Sequence, residues 1–236
     1  MMRIIIVLLL SSMSFLGHSQ ELTANQLLQK TMAYHDPNNN WSSFSGAFKV
    51  LMKTPNSSER KSIIQINLPQ EQFNLNVEKD GNTLEYKLKG KTCTLLLNGS
   101  PEITEAQQKS FNLNCERANM MKDYYTYLYG LPMKLKDPGT IIDPKVQHKK
   151  LKNKEYLVLK VTYEEGVGGD TWYFYFDPAS YAMEAYQFYH DESKNDGEYI
   201  LLKDQENIND IRMPKTREWY YNKDHKFLGT DILSQI

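Results

Sequence analysis

The segment TWYFYFDP, residues 171–178, contains the alternation that decides the fold. Successive side chains of a β-strand point to opposite faces of a sheet. The rings at positions 172, 174 and 176 therefore share one face, and those at positions 173 and 175 share the other. We predict a strand with aromatic side chains on both faces, ended by the turn signal Asp177-Pro178.

Two interpretations fit this double aromatic pattern, which Tyr186 and Phe188 repeat in the next predicted strand. In the first, the rings form a thick aromatic core, and the tyrosine hydroxyls reach water. In the second, one face packs against helices while the other lines an apolar pocket in the mouth of an open barrel.

Alternation of apolar and polar residues continues on both sides of this segment and predicts about ten or eleven strands. The chain contains 16 Tyr, 9 Phe and 3 Trp, residue types that favour strands. No helix of the parallel-crossover type separates the strands, so we predict a mainly β (α+β) fold built on one strongly curved antiparallel half-barrel. The predicted strands cover residues 44–52, 62–68, 73–77, 84–88, 93–97, 157–163, 172–176, 181–190, 198–202, 217–221 and 228–233.

Two regions have helical spacing instead. Residues 21–34 place Leu27, Leu28 and Thr31 on one side of an amphipathic helix, with Thr23 as its cap and Pro37 after its end. A mid-chain insert follows the first five strands, with a short helix over residues 104–111 and a longer helix from about residue 115 to residue 130. We expect both the N-terminal helix and this insert to lie on the concave side of the sheet.

The first nineteen residues resemble an export signal. Arg3 is followed by the apolar run from Ile4 to Leu10, and small residues occupy the positions before a cleavage site after Ser19. We predict a signal peptide over residues 1–19 and a single domain over residues 20–236. The mature protein is expected to be periplasmic or secreted.

The two cysteines of the chain, Cys93 and Cys115, are expected to form a disulfide in an oxidising compartment. A redox or metal-binding pair would need CxxC-type spacing, which is absent.

The charge balance and the motifs exclude several functions. The chain carries 28 basic and 29 acidic residues, which argues against a nucleic acid as the partner. The lysine-rich run of residues 145–154 is interpreted as a solvated hairpin, with peripheral contact to anionic lipid headgroups as the alternative. The GxSxG, HExxH, Walker and GxGxxG motifs are missing, so we predict no catalytic residue, no cofactor and no metal.

Four segments resemble a family of exported proteins of unknown function from Gram-negative bacteria: residues 33–37, 127–132, 136–139 and 172–178. The order of export signal, helix, strands, helical insert and further strands also resembles the LolA/LppX-like fold of periplasmic lipoprotein carriers. This resemblance implies a half-open barrel with helices in or over its concave side. The aliphatic lining typical of the carriers is replaced here by Tyr, Phe and Trp.

The resemblance and the aromatic pattern together predict a non-catalytic protein that binds an apolar or amphipathic, lipid-like ligand. One alternative is an interaction module that docks an envelope protein or a glycan. Another is an enzyme that acts by shaping its ligand, as a violacein-pathway enzyme of similar fold does. The oligomeric state of the protein is left open. The predicted ligand-binding residues are Phe48, Val50, Ile64, Leu75, Met121, Tyr125, Leu128, Trp172, Phe174, Phe188 and Trp219.

Overall fold

The computed structural model describes residues 22–236, so the predicted signal peptide lies outside the described residues. This part of the chain forms three α-helices, α1 (Ala24–His35), α2 (Glu105–Phe111) and α3 (Cys115–Gly130). None of these helices is long and apolar enough to cross a membrane. The strands are β1 (Ser45–Thr54), β2 (Ser57–Asn67), β3 (Gln72–Lys79), β4 (Asn82–Lys89), β5 (Thr92–Leu97), β6 (Thr140–Ile142), β7 (Gln147–Leu151), β8 (Lys154–Tyr163), β9 (Thr171–Phe176), β10 (Met183–Tyr189), β11 (Glu198–Ile208), β12 (Ile211–Tyr221) and β13 (Phe227–Ser234).

All of these strands belong to one antiparallel sheet, as predicted. Its order is β5-β4-β3-β2-β1-β13-β12-β11-β10-β9-β8-β6, and β7 pairs with β8. The chain therefore makes two meanders, β1 to β5 and β8 to β13, each built from hairpins. Pairing of β1 with β13, with Val50 opposite Leu233, joins the two meanders into one sheet.

The structure contains thirteen strands in the described range, more than the predicted ten or eleven. The additional strands, β6 and β7, lie in the segment that the sequence presented as a connection. β6 has three residues, too few for an alternation to be recognised. β7 is rich in lysine, and it forms the predicted hairpin with β8, in which Lys149 lies opposite Tyr156.

The sheet curves around α3, and we call the face toward α3 the concave face. Phe48 of β1 packs on Tyr129 of α3 with ring centroids 4.8 Å apart. From the second meander, the buried Arg217 of β12 donates a hydrogen bond to the backbone carbonyl of Leu128. Because one helix contacts both meanders, their inward side chains and the apolar side of α1 form a single core. The predicted placement of both helical regions on the concave side is confirmed.

A disulfide between Cys93 and Cys115 fastens α3 to the edge strand β5. Cys115 is the first residue of α3, and the two Cα atoms lie 6.0 Å apart. The bridge closes a loop with a sequence separation of 22, which in the chain-entropy model stabilises the fold by roughly 3 kcal/mol. It therefore holds the start of α3 at the rim of the first meander.

The end of α1 is fixed by His35 and Asp36, which are both buried. His35 Nδ1 donates to the carbonyl of Arg212 at 2.6 Å, and His35 Nε2 accepts from the backbone N–H of Met183 at 2.9 Å. These two contacts require a neutral imidazole. The Asp36 carboxylate accepts from the N–H groups of Asn40 and Trp41, so both residues have structural roles.

Protonation of His35 is expected to destabilise the fold. Burial lowers its pKa from 6.5 to about 4, so the unfolded chain binds more protons between these values than the folded chain does. The stability contributed by the neutral ring is present above pH 6.5 and is lost as the pH falls toward 4, by roughly 3 kcal/mol in total. Urea unfolding at a series of pH values measures this loss.

Two variants separate His35 from the other titrating groups. His35→Gln should be less stable than wild type at pH 7.5, and its free energy of unfolding should depend less on pH below 6.5. His148→Gln, at an exposed position in β7, should keep the wild-type slope. A wild-type slope in His35→Gln would contradict the assignment.

Candidate functional site

One end of the concave face carries a group of half-buried rings that we call the aromatic rim: Tyr124, Tyr127, Trp172, Phe188 and Trp219. The strand register brings them together, because Trp172 near the start of β9 lies opposite Phe188 near the end of β10. Their ring centroids are 4.8 Å apart, and Tyr127 of α3 meets Trp172 edge-on at 5.7 Å. The rim is therefore formed jointly by the sheet and the helix that lies over it.

A cavity of about 330 Å³ opens beside the rim, between α3 and the strands β1, β11, β12 and β13. Its mainly apolar wall is formed by Met52, Thr54, Tyr124, Trp219 and Leu228. Two carboxyl side chains, Glu198 and Asp231, complete the lining. We call this space the first cavity.

A second cavity, of about 660 Å³, lies on the other side of Tyr124. It is bounded by α3, by the loop that carries Val167 and by the rings of Tyr127, Tyr163 and Trp172. The Tyr127 and Tyr163 hydroxyls are hydrogen-bonded to each other across this space. Tyr124 lines both cavities, so the two spaces adjoin at this residue.

Charged side chains lie in the core next to the first cavity. Arg217 is fully buried, donates to the carbonyls of Pro214 and Leu128 at 2.9 and 3.2 Å, and lies 4.0 Å from the ring centroid of Tyr129. Asp231 lies opposite Arg217 in the β12–β13 ladder. Burial raises the pKa of the Asp231 carboxyl, and the nearby arginines oppose that rise.

The predicted ligand-binding residues fall into two groups in the structure. Trp172, Phe188 and Trp219 lie in the aromatic rim, and Trp172 and Trp219 line the second and first cavities respectively. The others are packed in the core, either on α3 itself or on the strands that it covers: Phe48, Val50, Ile64, Leu75, Met121, Tyr125, Leu128 and Phe174. Alternation thus identified the inward face, and contact of these residues with a ligand stays a prediction.

Two cavity residues, Tyr124 and Asp231, and the buried Arg217 beside the first cavity were not identified from the sequence. Tyr124 is one position from the predicted Tyr125, but the helix turns Tyr125 into the core and leaves Tyr124 between the cavities. Asp231 and Arg217 each lie two positions from an inward apolar residue, Leu233 and Trp219. A charged residue at an inward position of an alternating strand was the available signal.

Aromatic rings also lie on the opposite, convex face, where Tyr156, Tyr173 and Tyr175 form a second, smaller buried cluster. Lysine side chains cover it, with Lys149 Nζ 3.5 Å from the ring centroid of Tyr173. Lys154 pairs with Asp177 and Glu184. Lys149 and Lys154 of the lysine-rich hairpin therefore contact side chains of the protein's own surface.

Within residues 22–236, no three His, Cys, Asp or Glu side chains form a group that could hold a metal ion.

Comparison with known proteins identifies the fold. The sequence matches the model of DUF6503, described as a family of unknown function, over residues 3–235. The crystal structure of a LolA superfamily protein from Nitrosomonas europaea is similar, with a TM-score of 0.50, 12% sequence identity, and coverage of 90% of this chain and 92% of that chain. A DUF1329 family protein from Desulfovibrio piger gives a TM-score of 0.49 and 7% identity, with 89% and 90% covered. No curated protein matches the sequence. The predicted LolA-like fold is confirmed.

Replacement of the buried guanidinium should destabilise the protein. Arg217→Lys keeps the charge but cannot reproduce the forked donation to Pro214 and Leu128, so we expect a loss of about 2–4 kcal/mol in the free energy of unfolding. Chemical denaturation measures the loss. Arg212→Lys, at an exposed position of the same strand, is the control and should cost less than about 1 kcal/mol. Equal losses in the two variants would refute this role of Arg217.

Proposed function

The chain belongs to the DUF6503 family, a family of unknown function, and we propose that it binds an apolar or amphipathic, lipid-like ligand without catalysing a reaction. The observation that carries this proposal is the pair of adjoining cavities at the aromatic rim. Their volumes, about 330 and 660 Å³, fall in the range of about 300–1,000 Å³ that is usual for small-molecule sites.

Burial of apolar surface supplies the driving force in this proposal. Transfer of a ligand's apolar surface from water to such a cavity contributes roughly 25 cal/mol per Å². The rings of Trp172, Phe188 and Trp219 contact the ligand, and the core residues beneath α3 support them. Tyr124 is the side chain whose rotation would join the two cavities into one space, which suits a long, flexible ligand better than a compact one.

We place the protein in the periplasm or outside the cell. The signal-peptide pattern of residues 1–19 supports export. The Cys93–Cys115 disulfide supports an oxidising compartment, since such bridges are rare in the cytosol. A LolA-like fold is compatible with a carrier, although a fold by itself does not define a function.

Native mass spectrometry of protein purified from the periplasm without detergent tests the proposal directly. We expect a stoichiometric adduct that is apolar or lipid-like and is released by organic extraction. A clean apo mass at every preparation would contradict the carrier function and favour an interaction module. The same spectra, recorded without reducing agent, report whether Cys93 and Cys115 are joined.

A charge placed in the first cavity should weaken binding. Leu228→Lys adds an ammonium group to the apolar wall, so the Kd for the uncharged fluorescent probe N-phenyl-1-naphthylamine should rise by about tenfold or more, or roughly 1.4 kcal/mol. Ile141→Lys is the matched control, because Ile141 is 49% exposed and does not line either cavity. Equal affinity in both variants and wild type would move the ligand site away from this cavity.

A further inference from the structure

The carboxylate of Asp231 has an incomplete set of hydrogen bonds. Asp231 is only 3% exposed and lines the first cavity. Its Oδ2 accepts from the indole N–H of Trp219 at 3.1 Å, while its Oδ1 has no hydrogen-bond partner among the described residues. A buried carboxylate oxygen without a donor is unfavourable, and a donor on a bound molecule would correct this.

The arginines nearest to Asp231 in the sheet register do not supply the hydrogen bond that its Oδ1 lacks. Arg217 lies opposite it on β12, but both of its Nη atoms donate to backbone carbonyls and its guanidinium stacks on Tyr129. The buried Arg217 Nε has no hydrogen-bond partner among the described residues. Arg60 lies one strand further away, opposite Met52, and its Nε likewise has no partner in the described part of the chain. Neither arginine therefore donates a hydrogen bond to Asp231 Oδ1, although the charges of both stabilise its carboxylate.

The rest of the first cavity also favours positive charge over negative charge. Glu198, at the start of β11, is the second carboxyl in the lining, and burial raises its pKa. No lysine or arginine is among the described residues that line this cavity. Aromatic ring faces, which attract cations, are supplied by Tyr124 and Trp219. The site therefore combines apolar walls, two carboxyl groups and two aromatic rings.

We propose that the first cavity binds the head of an amphiphile that carries hydrogen-bond donors, a primary ammonium in particular, with Asp231 Oδ1 as the principal acceptor and Glu198 as the second. The apolar tail lies along the aromatic rim. An anionic head is disfavoured, because it would face two carboxyl groups without a lining cation. This inference rests on the proposed function and specifies the ligand class for the same site.

Three probes with the same tail and different heads test this inference: dodecylammonium, dodecanol and dodecanoate. Isothermal titration calorimetry at pH 7.5, below micelle formation, gives the three Kd values for the wild-type protein. We expect dodecylammonium to bind at least about tenfold more tightly than dodecanoate, with dodecanol between them.

Two variants and one control test whether Asp231 and Glu198 cause the preference for dodecylammonium over dodecanoate. Asp231→Asn keeps an acceptor for the Trp219 indole but removes the charge, and it should reduce the dodecylammonium-to-dodecanoate preference to about threefold or less. Glu198 is half-buried, so Glu198→Gln is less disruptive and provides a second test if Asp231→Asn does not fold. It should reduce the preference in the same direction. Glu155→Gln, at an exposed position in β8, should leave the preference unchanged.

The outcomes distinguish the inference from the proposed function. Equal affinity for the three probes, or tighter binding of dodecanoate, would overturn the ammonium preference and leave lipid-like binding intact. No binding of any probe would contradict both. A preference for dodecylammonium that is unchanged in both Asp231→Asn and Glu198→Gln would overturn the assignment of these two acceptors.

Discussion

Antiparallel pairing of β1 with β13 holds the two meanders together as one sheet. Without this ladder, the two meanders would be separate sheets, each with an exposed apolar face and two open edges. With it, Phe48 and Val50 of β1 continue directly into the inward side chains of β13 and β12. The concave face thereby becomes wide enough to enclose α3, which neither meander could bury alone.

The position of α3 then determines what space remains. The disulfide holds its start at the edge strand β5, and Arg217 holds its last turn through the carbonyl of Leu128. Between these anchors, Tyr125 and Tyr129 pack deeply against Phe73 and Phe48. Tyr124 projects to one side of this packed line, and at that end of the sheet the rings of β9, β10 and β12 meet the helix without filling the interior. Flat, rigid rings leave gaps that flexible aliphatic chains would occupy, and this accounts for cavities beside an otherwise dense core.

Polar groups also lie in the interior beside the mainly apolar first cavity. Arg217 has a structural role, since its two Nη groups donate to the backbone carbonyls of Pro214 and Leu128. Asp231, its neighbour across the ladder, keeps one oxygen free beside the first cavity.

Local sequence patterns predict the strand segments of the two meanders, the three α-helices, the inward face and the cysteine pair. These features are local, because a period of two or 3.6 residues and a cap or turn residue are visible within a short window. The hairpin that contains β7 was predicted, but β7 was not predicted as a separate strand and β6 was not predicted at all. These short or polar segments form strands only because β8 offers a partner. Long-range packing places Tyr124 beside two cavities while Tyr125 is core, and it brings Arg217 and Asp231 side by side. Alternation specifies which face a side chain occupies, whereas the packing of that face depends on long-range contacts that place the helix over the sheet.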